Sequence, residues 1–187
     1  MKKLMLSAIA FSMFALLAFS SIATKLISSK TSVKFFSTTP AEDIEANNYK
    51  TVSTIDTSTG DVVFSLPMQS FEFEKALMQK HFNSTDFLDT KKYPKAKFVG
   101  KITNLNNINF EKDGTYKVTV DGELTIKDIA KQQIIDGTIV VNGKIIEVTS
   151  KFKITLADHG IAFKNGKPST NIAKTVEVTL VAEYPEQ

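Results

Sequence analysis

The alternation of apolar and polar side chains in Thr115–Gln133 constrains the fold more than any other stretch of the chain. The apolar positions of one parity are Tyr116, Val118, Val120, Leu124 and Ile126, and polar or charged residues occupy the other parity. Because a strand sends successive side chains to opposite faces, the pattern predicts one long strand with a single apolar face. Gly122 lies on the apolar parity, where a missing side chain suits a bend or a close backbone approach.

The same alternation recurs along most of the chain and predicts an all-β fold of about eight strands. The other segments are Thr31–Thr38, Ile44–Asp56, Asp61–Leu66, Lys95–Ile102, Ile134–Val141, Val148–Leu156 and Ile172–Tyr184. Asp113-Gly114 and Asn142-Gly143 are hairpin turn signals between them. A sheet with one buried face must close on itself or pack on a second sheet. Long strands joined by tight turns favour a closed antiparallel up-and-down barrel over a Greek-key sandwich.

One short helix is predicted after the third strand. Ser70 is a candidate N-cap, Glu72 and Glu74 place negative charge in the first turn, and Lys80 and His81 follow at the end. A helix of about three turns is stable only when its apolar side packs on other elements. We therefore expect it at a barrel mouth or a sheet edge.

The start of the chain has the pattern of a signal peptide. Lys2-Lys3 precedes the apolar run Leu4–Phe19, and Ser21-Ile22-Ala23 places small residues where a signal peptidase cleaves. The run is about 16 residues long, fewer than the roughly 20 that a membrane-spanning helix needs, so cleavage is favoured over a permanent anchor. We predict a signal peptide at 1–23, one domain at 24–187, and a periplasmic or secreted protein that is not integral to the membrane after cleavage.

The composition argues against nucleic-acid binding. The formal net charge is +3, and it falls to +1 when Lys2 and Lys3 are removed with the leader. All 23 basic residues are lysines, so the planar, forked donors with which arginine recognises phosphate are absent. The chain also has no cysteine, which excludes disulfides as a source of stability.

The residues that could carry chemistry are too few and too scattered to predict catalysis or metal binding. His81 and His159 are the only histidines, whereas a zinc site needs three or four protein ligands. The sequence has no G-x-S-x-G motif and no cysteine nucleophile. We therefore predict no catalytic residue, no metal and no cofactor, and we expect His159 to be a solvated loop residue.

Three short motifs give the chain a family resemblance. They are Phe71-Glu72-Phe73, the segment Lys92–Phe98 (KYPKAKF) and the segment Gly122–Ile126 (GELTI). In this order they resemble the YceI-like family, and the resemblance extends from about residue 25 to the end of the chain. It implies a lipocalin-like antiparallel barrel whose interior is similar to an isoprenoid- or lipid-binding tunnel. The family's usual continuation after the last motif has a histidine and a glycine where this chain has Lys127 and Asp128.

The inward parity of the predicted strands supplies the candidate binding site. Its apolar lining consists of Phe35, Phe64, Phe98, Tyr116, Val118, Leu124, Phe152, Ile154 and Val178. Lys174 shares the inward parity near the start of the last strand, where it either contacts an anionic head group or extends to water. Periodicity alone does not separate a solid core from the lining of a pocket, because both have the same pattern. The family resemblance favours a pocket.

We therefore predict non-enzymatic binding or carriage of an isoprenoid or another long-chain lipid inside the barrel. The partner is then a hydrophobic small molecule, and the sequence leaves the formation of a homodimer open. The alternative is a structural or stress-related interaction protein that has a solid core and acts through its outer surface.

Overall fold

The computed structural model describes residues 25–40, 42–161, 163–164, 167–168 and 173–185. The predicted signal peptide at 1–23 lies outside these residues. Within them the chain forms thirteen strands, one α-helix and three short 3-10 helices. The predicted all-β antiparallel class is therefore confirmed.

Eleven of the strands form one antiparallel sheet. They are β1 (Lys25–Ile27), β2 (Lys30–Thr38), β3 (Asp43–Asn48), β4 (Val52–Asp56), β5 (Asp61–Pro67), β6 (Phe71–Phe73), β7 (Lys95–Ile102), β8 (Gly114–Ile126), β9 (Ile129–Asn142), β10 (Ile145–Thr155) and β13 (Thr175–Pro185). Their order in the sheet is β1-β4-β5-β7-β8-β9-β10-β13-β2-β3-β6. The remaining two strands, β11 (Phe163–Lys164) and β12 (Lys167–Pro168), pair only with each other.

The first two strands connect β4 with β13, two strands that are far apart in the sheet order, and so curve the sheet into a barrel. β1 pairs with β4, whereas β2 follows after only two residues and pairs with β13. Those two residues continue the hydrogen bonding, because Ser28 N–H donates to the Ser53 carbonyl at 2.9 Å and Ser29 N–H donates to the Glu183 carbonyl at 2.8 Å. The inward faces of the strands therefore surround one interior.

The predicted count of eight strands is not confirmed, since the main sheet has eleven. Two of the additional strands, β1 and β6, lie outside the segments that alternate clearly. The third arises because the predicted strand Ile44–Asp56 is interrupted after Asn48. The Asn48 side chain accepts hydrogen bonds from Lys50 N–H at 2.9 Å and from the Thr51 hydroxyl at 3.1 Å. These local bonds turn the chain between β3 and β4, so the two segments pair with different strands of the sheet.

The prediction of one long strand over Thr115–Gln133 is wrong. β8 ends at Ile126 and β9 begins at Ile129, and the two strands pair with each other as a hairpin. Lys127 and Asp128 form its two-residue turn with φ angles of 51° and 60°, the left-handed conformation that such a turn needs at both positions. Because this turn lacks the glycine of the usual hairpin signal, the sequence alone does not indicate that the chain reverses here.

The helix begins later than predicted and follows the sixth strand rather than the third. α1 spans Ala76–Asn83, and its N-cap is Lys75, without a side-chain hydrogen bond. Ser70, the predicted N-cap, ends a 3-10 turn instead. The next residues, Phe71–Phe73, are extended and pair with β3, so they cannot form a first helical turn. Phe82 is the buried residue that packs the helix on the barrel.

The two ends of the barrel differ. The connections β2–β3, β8–β9 and β10–β13 lie at one end, together with α1 and the loop 84–94 that follows it. We call this the helix end. The hairpin connections β4–β5, β7–β8 and β9–β10 lie at the opposite end. The confirmed turn at Asn142–Ile145, where Gly143 has a φ angle of 56°, belongs to that opposite end.

One part of the barrel wall is unpaired, and we call it the β9–β10 gap. In the described chain the β9–β10 ladder stops at the Gly137–Ser150 pair, although toward the helix end β9 still pairs with β8 and β10 still pairs with β13. The Ser150 hydroxyl donates to the Asp136 carbonyl at 2.6 Å, beside the last pair. At the helix end, His159 Nδ1 lies 3.0 Å from the Ile129 carbonyl oxygen. The gap is therefore bridged at both of its ends.

Two glycines allow the backbones of β7 and β8 to approach closely. Gly100 and Gly122 are partners across the ladder. A Cβ atom on Gly122 would lie 2.5 Å from Gly100 Cα, 2.6 Å from the Val99 carbonyl oxygen and 2.7 Å from Phe98 Cζ. The close backbone approach expected at Gly122 is therefore confirmed, and the Phe98 ring packs against the glycine pair.

We expect Gly122→Ala to lower the free energy of unfolding by about 1–3 kcal/mol, because two of the three nearest atoms belong to the backbone and cannot rotate away. Urea denaturation followed by circular dichroism measures the change. The control is Glu123→Ala, which removes an exposed side chain of the neighbouring residue and should change stability by less than about 0.5 kcal/mol. Equal stability of the two variants would contradict the steric argument.

A buried polar pair supports the wall where β13 and β4 approach the first strands. The hydroxyls of Tyr184 and Ser53 lie 2.7 Å apart, and both residues are buried. Burial raises the pKa of Tyr184 above its ordinary value of 10.0, and the Ser53 hydrogen bond offsets part of that rise. The unfolded chain therefore releases this proton near pH 10, while the folded chain still holds it.

We expect Tyr184→Phe to lower the free energy of unfolding by roughly 1–3 kcal/mol at neutral pH, because it leaves the buried Ser53 hydroxyl without its partner. The wild-type contribution is fully present below pH 10 and is lost as the pH rises above that value. The free energy of unfolding should therefore fall more steeply between about pH 10 and pH 11.5 in the wild type than in the variant. Parallel slopes in chemical denaturation at these pH values would show that Tyr184 does not hold its proton as inferred.

Candidate ligand-binding cavity

A cavity of about 650 Å³ occupies the interior of the barrel and extends to the helix end. This volume lies within the range of roughly 300–1,000 Å³ that is typical of small-molecule sites. The inward-facing residues of the strands form its wall, because alternation gives each strand one apolar face. At the helix end the lining is completed by α1 and the loop after it, through Met78, His81, Phe82, Ser84, Asp86, Phe87 and Leu88.

Eight of the nine apolar residues predicted for the site lie around this cavity. They are Phe35, Phe64, Phe98, Val118, Leu124, Phe152, Ile154 and Val178. The barrel brings them together from β2, β5, β7, β8, β10 and β13. Their contact with a ligand is still a prediction.

Tyr116 and Lys174 are not among the residues that line the cavity. Tyr116 lies on β8 at the end opposite the helix, and its hydroxyl donates to the Lys112 carbonyl at 2.9 Å. That bond holds the side chain against the β7–β8 connection. Lys174 is exposed in a bend before β13, where its carbonyl accepts a hydrogen bond from Leu156 N–H at 3.0 Å. Since β13 begins one residue later, the strand parity does not direct this lysine inward.

Five aromatic rings at the helix end form what we call the phenylalanine cluster. Its members are Phe35, Phe71, Phe73, Phe82 and Phe87. Phe35 stacks on Phe82 with ring centroids 5.7 Å apart and an interplanar angle of 14°. Phe73 and Phe82 are closer, at 5.0 Å. Such aromatic pairs stabilise the fold by more than the apolar area that they bury. The cluster therefore attaches α1 to β2 and β6, and its rings narrow the cavity at the helix end.

The sequence interpretation includes only Phe35 of this cluster among the site residues. It assigns Phe71 and Phe73 to the predicted helix, although a spacing of two is the period of a strand. That spacing is the signal that could have placed both rings on the inward face. Phe82 and Phe87 have no comparable signal, because their positions depend on how α1 and its loop fold over the barrel.

Polar side chains line the cavity where it reaches the surface, and we call Glu42, His81, Ser84 and Asp86 the rim. Glu42 belongs to the β2–β3 connection, and the other three belong to α1 and the loop after it. Lys75 Nζ lies 3.4 Å from the Glu42 carboxylate, and 64% of the Lys75 side chain is exposed. The rim therefore carries two carboxylates, and that of Glu42 forms an ion pair with an exposed lysine.

Among the described residues, no lysine lines the cavity. Lys127 lies beside the rim, and its Nζ donates to the Phe87 carbonyl at 2.8 Å. This bond attaches the β8–β9 turn to the loop after α1. Asp136 also lines the cavity, at the β9–β10 gap, but its carboxylate accepts from the Thr119 hydroxyl at 2.7 Å.

His159 is fully buried, which contradicts the expectation of a solvated loop residue. The 3-10 turn Leu156–His159 folds back onto the start of β9, so Nδ1 reaches the Ile129 carbonyl while Nε2 has no partner in the described structure. His81 is exposed at the rim and belongs to a different element. In the described ranges, no three residues of the types His, Cys, Asp and Glu are grouped so that they could hold a metal ion.

The family of the chain follows from a match to a family model. The model of the YceI-like domain matches residues 20–184. This chain belongs to the YceI-like family. The resemblance inferred from three short motifs is thereby confirmed. The departure at Lys127 and Asp128 falls in the β8–β9 turn, where the two residues take the left-handed conformation.

Solved structures of the same fold come from several bacteria. BcnA of Burkholderia cenocepacia is 21% identical, with a TM-score of 0.69 over 82% of this chain and 95% of that chain. A polyisoprenoid-binding domain from Saccharophagus degradans is 14% identical, with a TM-score of 0.73 over 89% and 99%. A YceI protein of Campylobacter jejuni is 18% identical, with a TM-score of 0.59 over 100% and 99%. At these identities the similarity concerns the fold.

A curated relative is similar over part of the chain. A UPF0312 protein of Photorhabdus laumondii subsp. laumondii is 30% identical over 80 residues, which are 43% of this chain. The match spans 38% of the length of that relative. Separately, none of the helices in the described residues has the length and hydropathy needed to cross a membrane.

The cavity predicts different costs for two truncations on β10. Phe152 lines the cavity, whereas Ile146 is buried in the same strand and does not line it. In the protein without a ligand, we expect Phe152→Ala to lower the free energy of unfolding by less than about 2 kcal/mol and Ile146→Ala to lower it by about 2–5 kcal/mol. Thermal and urea unfolding of both variants measure the difference. A larger cost for Phe152→Ala would indicate a solid interior.

Proposed function

We propose that this protein binds and carries an isoprenoid or another long-chain lipid in the barrel, without changing it chemically. The observation that carries the proposal is the cavity of about 650 Å³, whose wall is apolar from the interior to the phenylalanine cluster. The cavity does not support the alternative of an interaction protein with a solid core. In such a protein the interior side chains would fill the barrel and leave no cavity of this size.

The energetics favour an elongated apolar ligand. Burial of a methylene group contributes about 0.8 kcal/mol, so roughly ten buried groups supply about 8 kcal/mol before the costs of association. Micromolar binding needs a net free energy of about 8 kcal/mol, so the chain must bury more than ten such groups to offset the costs of association as well. Few polar contacts are needed for such affinity, in agreement with the scarcity of polar side chains inside the barrel.

The similarity to the polyisoprenoid-binding domain of Saccharophagus degradans supports an isoprenoid as the first ligand class to test. Because that domain is 14% identical to this chain, its ligand is transferred here only as part of the proposal. The cellular location is part of the same proposal. The positive Lys2-Lys3 pair and the apolar run after it support export to the periplasm or the medium, with the signal peptide at 1–23 removed and the domain at 24–187 retained.

We expect organic extraction of the protein, purified without detergent, to release a long-chain lipid in a defined ratio to protein. Val118→Phe should lower this ratio several-fold, because Val118 lines the cavity and a larger ring occupies ligand volume. Lys117→Phe is the matched control, since it places the same ring on the exposed face of β8. Mass spectrometry identifies and counts the lipid, and circular dichroism confirms that both variants are folded.

A wild-type barrel that is empty after purification and also fails to bind added isoprenoids and fluorescent fatty-acid analogues would refute the proposed function. Equal loading of the two variants would show instead that the ligand lies elsewhere on the protein.

A further inference from the structure

The cavity is closed at the end of the barrel opposite the helix. The inward-facing residues Val141, Ile146 and Tyr184 are partners across β9, β10 and β13, and all three are buried. None of these three lines the cavity, whereas Ile139 and Val148, the next inward pair toward the helix end, both do. We call Val141, Ile146 and Tyr184 the floor.

The connections at this end do not open the cavity to solvent. Residues 57–60, 103–113 and 143–144 join the strands there, and the structure describes all of them. None of them lines the cavity. Leu105 and Phe110 of the β7–β8 connection pack against the core instead. An elongated ligand therefore cannot extend through the barrel and leave at this end.

The depth of the cavity follows from the strand that lines it over the greatest length. On β8 the lining residues extend from Val118 to Ile126, which ends the strand at the helix end. This segment is about 26 Å long and, at a tilt of roughly 40°, spans about 20 Å along the barrel axis. A fully extended chain advances about 1.2 Å per bond, so about 16 bonds, or four isoprene units, span this depth.

We infer that the floor limits the length of the chain that the barrel binds, with the tail of the ligand against the floor and its head group at the helix end. Affinity then increases with chain length up to about four isoprene units, or a straight chain of similar length, and stops increasing beyond it. This inference rests on the proposed function, since an apolar chain must first occupy the barrel.

The orientation follows from the polarity of the two ends. The deepest lining residues, such as Ile55, Ile139 and Val148, are apolar, and the hydroxyl of Tyr184 in the floor is already bonded to that of Ser53. A polar head group placed there would lose its hydrogen bonds to water without replacing them. At the helix end the cavity reaches the surface, so the head group keeps its hydrogen bonds to water there.

The dependence on length follows from apolar burial. A chain shorter than the cavity leaves the space beside the floor without dispersion partners, so each added methylene group that reaches into it increases the affinity. A chain longer than the cavity must leave its additional carbons at the surface, where they gain little from burial.

The first experiment compares alcohols of increasing length. Geraniol, farnesol, geranylgeraniol and hexaprenol, with two, three, four and six isoprene units, are titrated into the delipidated mature protein, and binding is followed by displacement of a fluorescent lipid. We expect the affinity to increase at least fivefold with each unit up to geranylgeraniol, because each unit buries about five more carbon groups. From geranylgeraniol to hexaprenol it should change by less than about threefold.

A matched pair of variants tests whether the limit lies at the floor. Val148→Phe places a ring in the deepest layer, whereas Val176→Phe places the same ring on the lining near the helix end of β13. Val148→Phe should weaken geranylgeraniol at least tenfold and geraniol by less than about threefold, since only the longer chain reaches the floor. Val176→Phe should weaken both alcohols by a similar factor. If Val148→Phe does not fold, Ile139→Phe replaces it, because Ile139 is its partner in the same layer.

Photolabelling of the wild type tests the orientation without a substitution. Palmitic acid with a diazirine at its last carbon should label peptides of β9 and β10 that contain Ile139 or Val148. The same acid with the diazirine beside the carboxylate should label α1 and the loop after it. Mass spectrometry of the digested protein locates both labels.

An affinity that increases as steeply from four to six units as from two to four would overturn this inference and leave the proposed function in place. Equal weakening of geraniol and geranylgeraniol in the deep variant, or labelling of α1 by the tail probe, would overturn it as well. Failure of all the alcohols and of palmitic acid to bind would refute the proposed function and the inference together.

Discussion

The double pairing of the segment 25–38 is the constraint on which the rest of the structure depends. Its first half pairs with β4 and its second half pairs with β13, so a sheet with two flanks becomes a wall around an interior. The inward-facing side chains of all these strands then face the same space, so their apolar faces are buried without a second sheet. The cavity follows because the inward side chains do not fill that space.

The helix end determines what the interior can be used for. There the phenylalanine cluster attaches α1 to the barrel, and Lys127 attaches the β8–β9 turn to the loop after α1. These contacts narrow the cavity without sealing it, and α1 and its loop bring His81, Ser84 and Asp86 to the rim. The turn in which this chain departs from the usual family residues thus gains a side chain that links two parts of the opening.

Much of the wall could be predicted from the sequence, because alternation along a strand directly determines which side chains share one face of the sheet. Eight inward residues, from Phe35 to Val178, lie around the cavity as their parity indicates. What could not be predicted depends on distant partners or on turn geometry. The Lys127-Asp128 turn lacks a glycine, the pairing of Phe71–Phe73 with β3 overrides a helix-like charge pattern, and His159 is buried only because its turn folds back onto β9.

The β9–β10 gap gives the wall an uneven resistance to opening. Among the described residues, the backbone of β9 toward the helix end is paired on the β8 side alone, and that of β10 on the β13 side alone. Amide hydrogens that point into the gap therefore exchange with solvent through local separation of two hairpins, at a lower free energy than global unfolding. In this respect the barrel is one continuous curved sheet with a partial seam, and the seam is where the backbones of neighbouring strands restrain each other least.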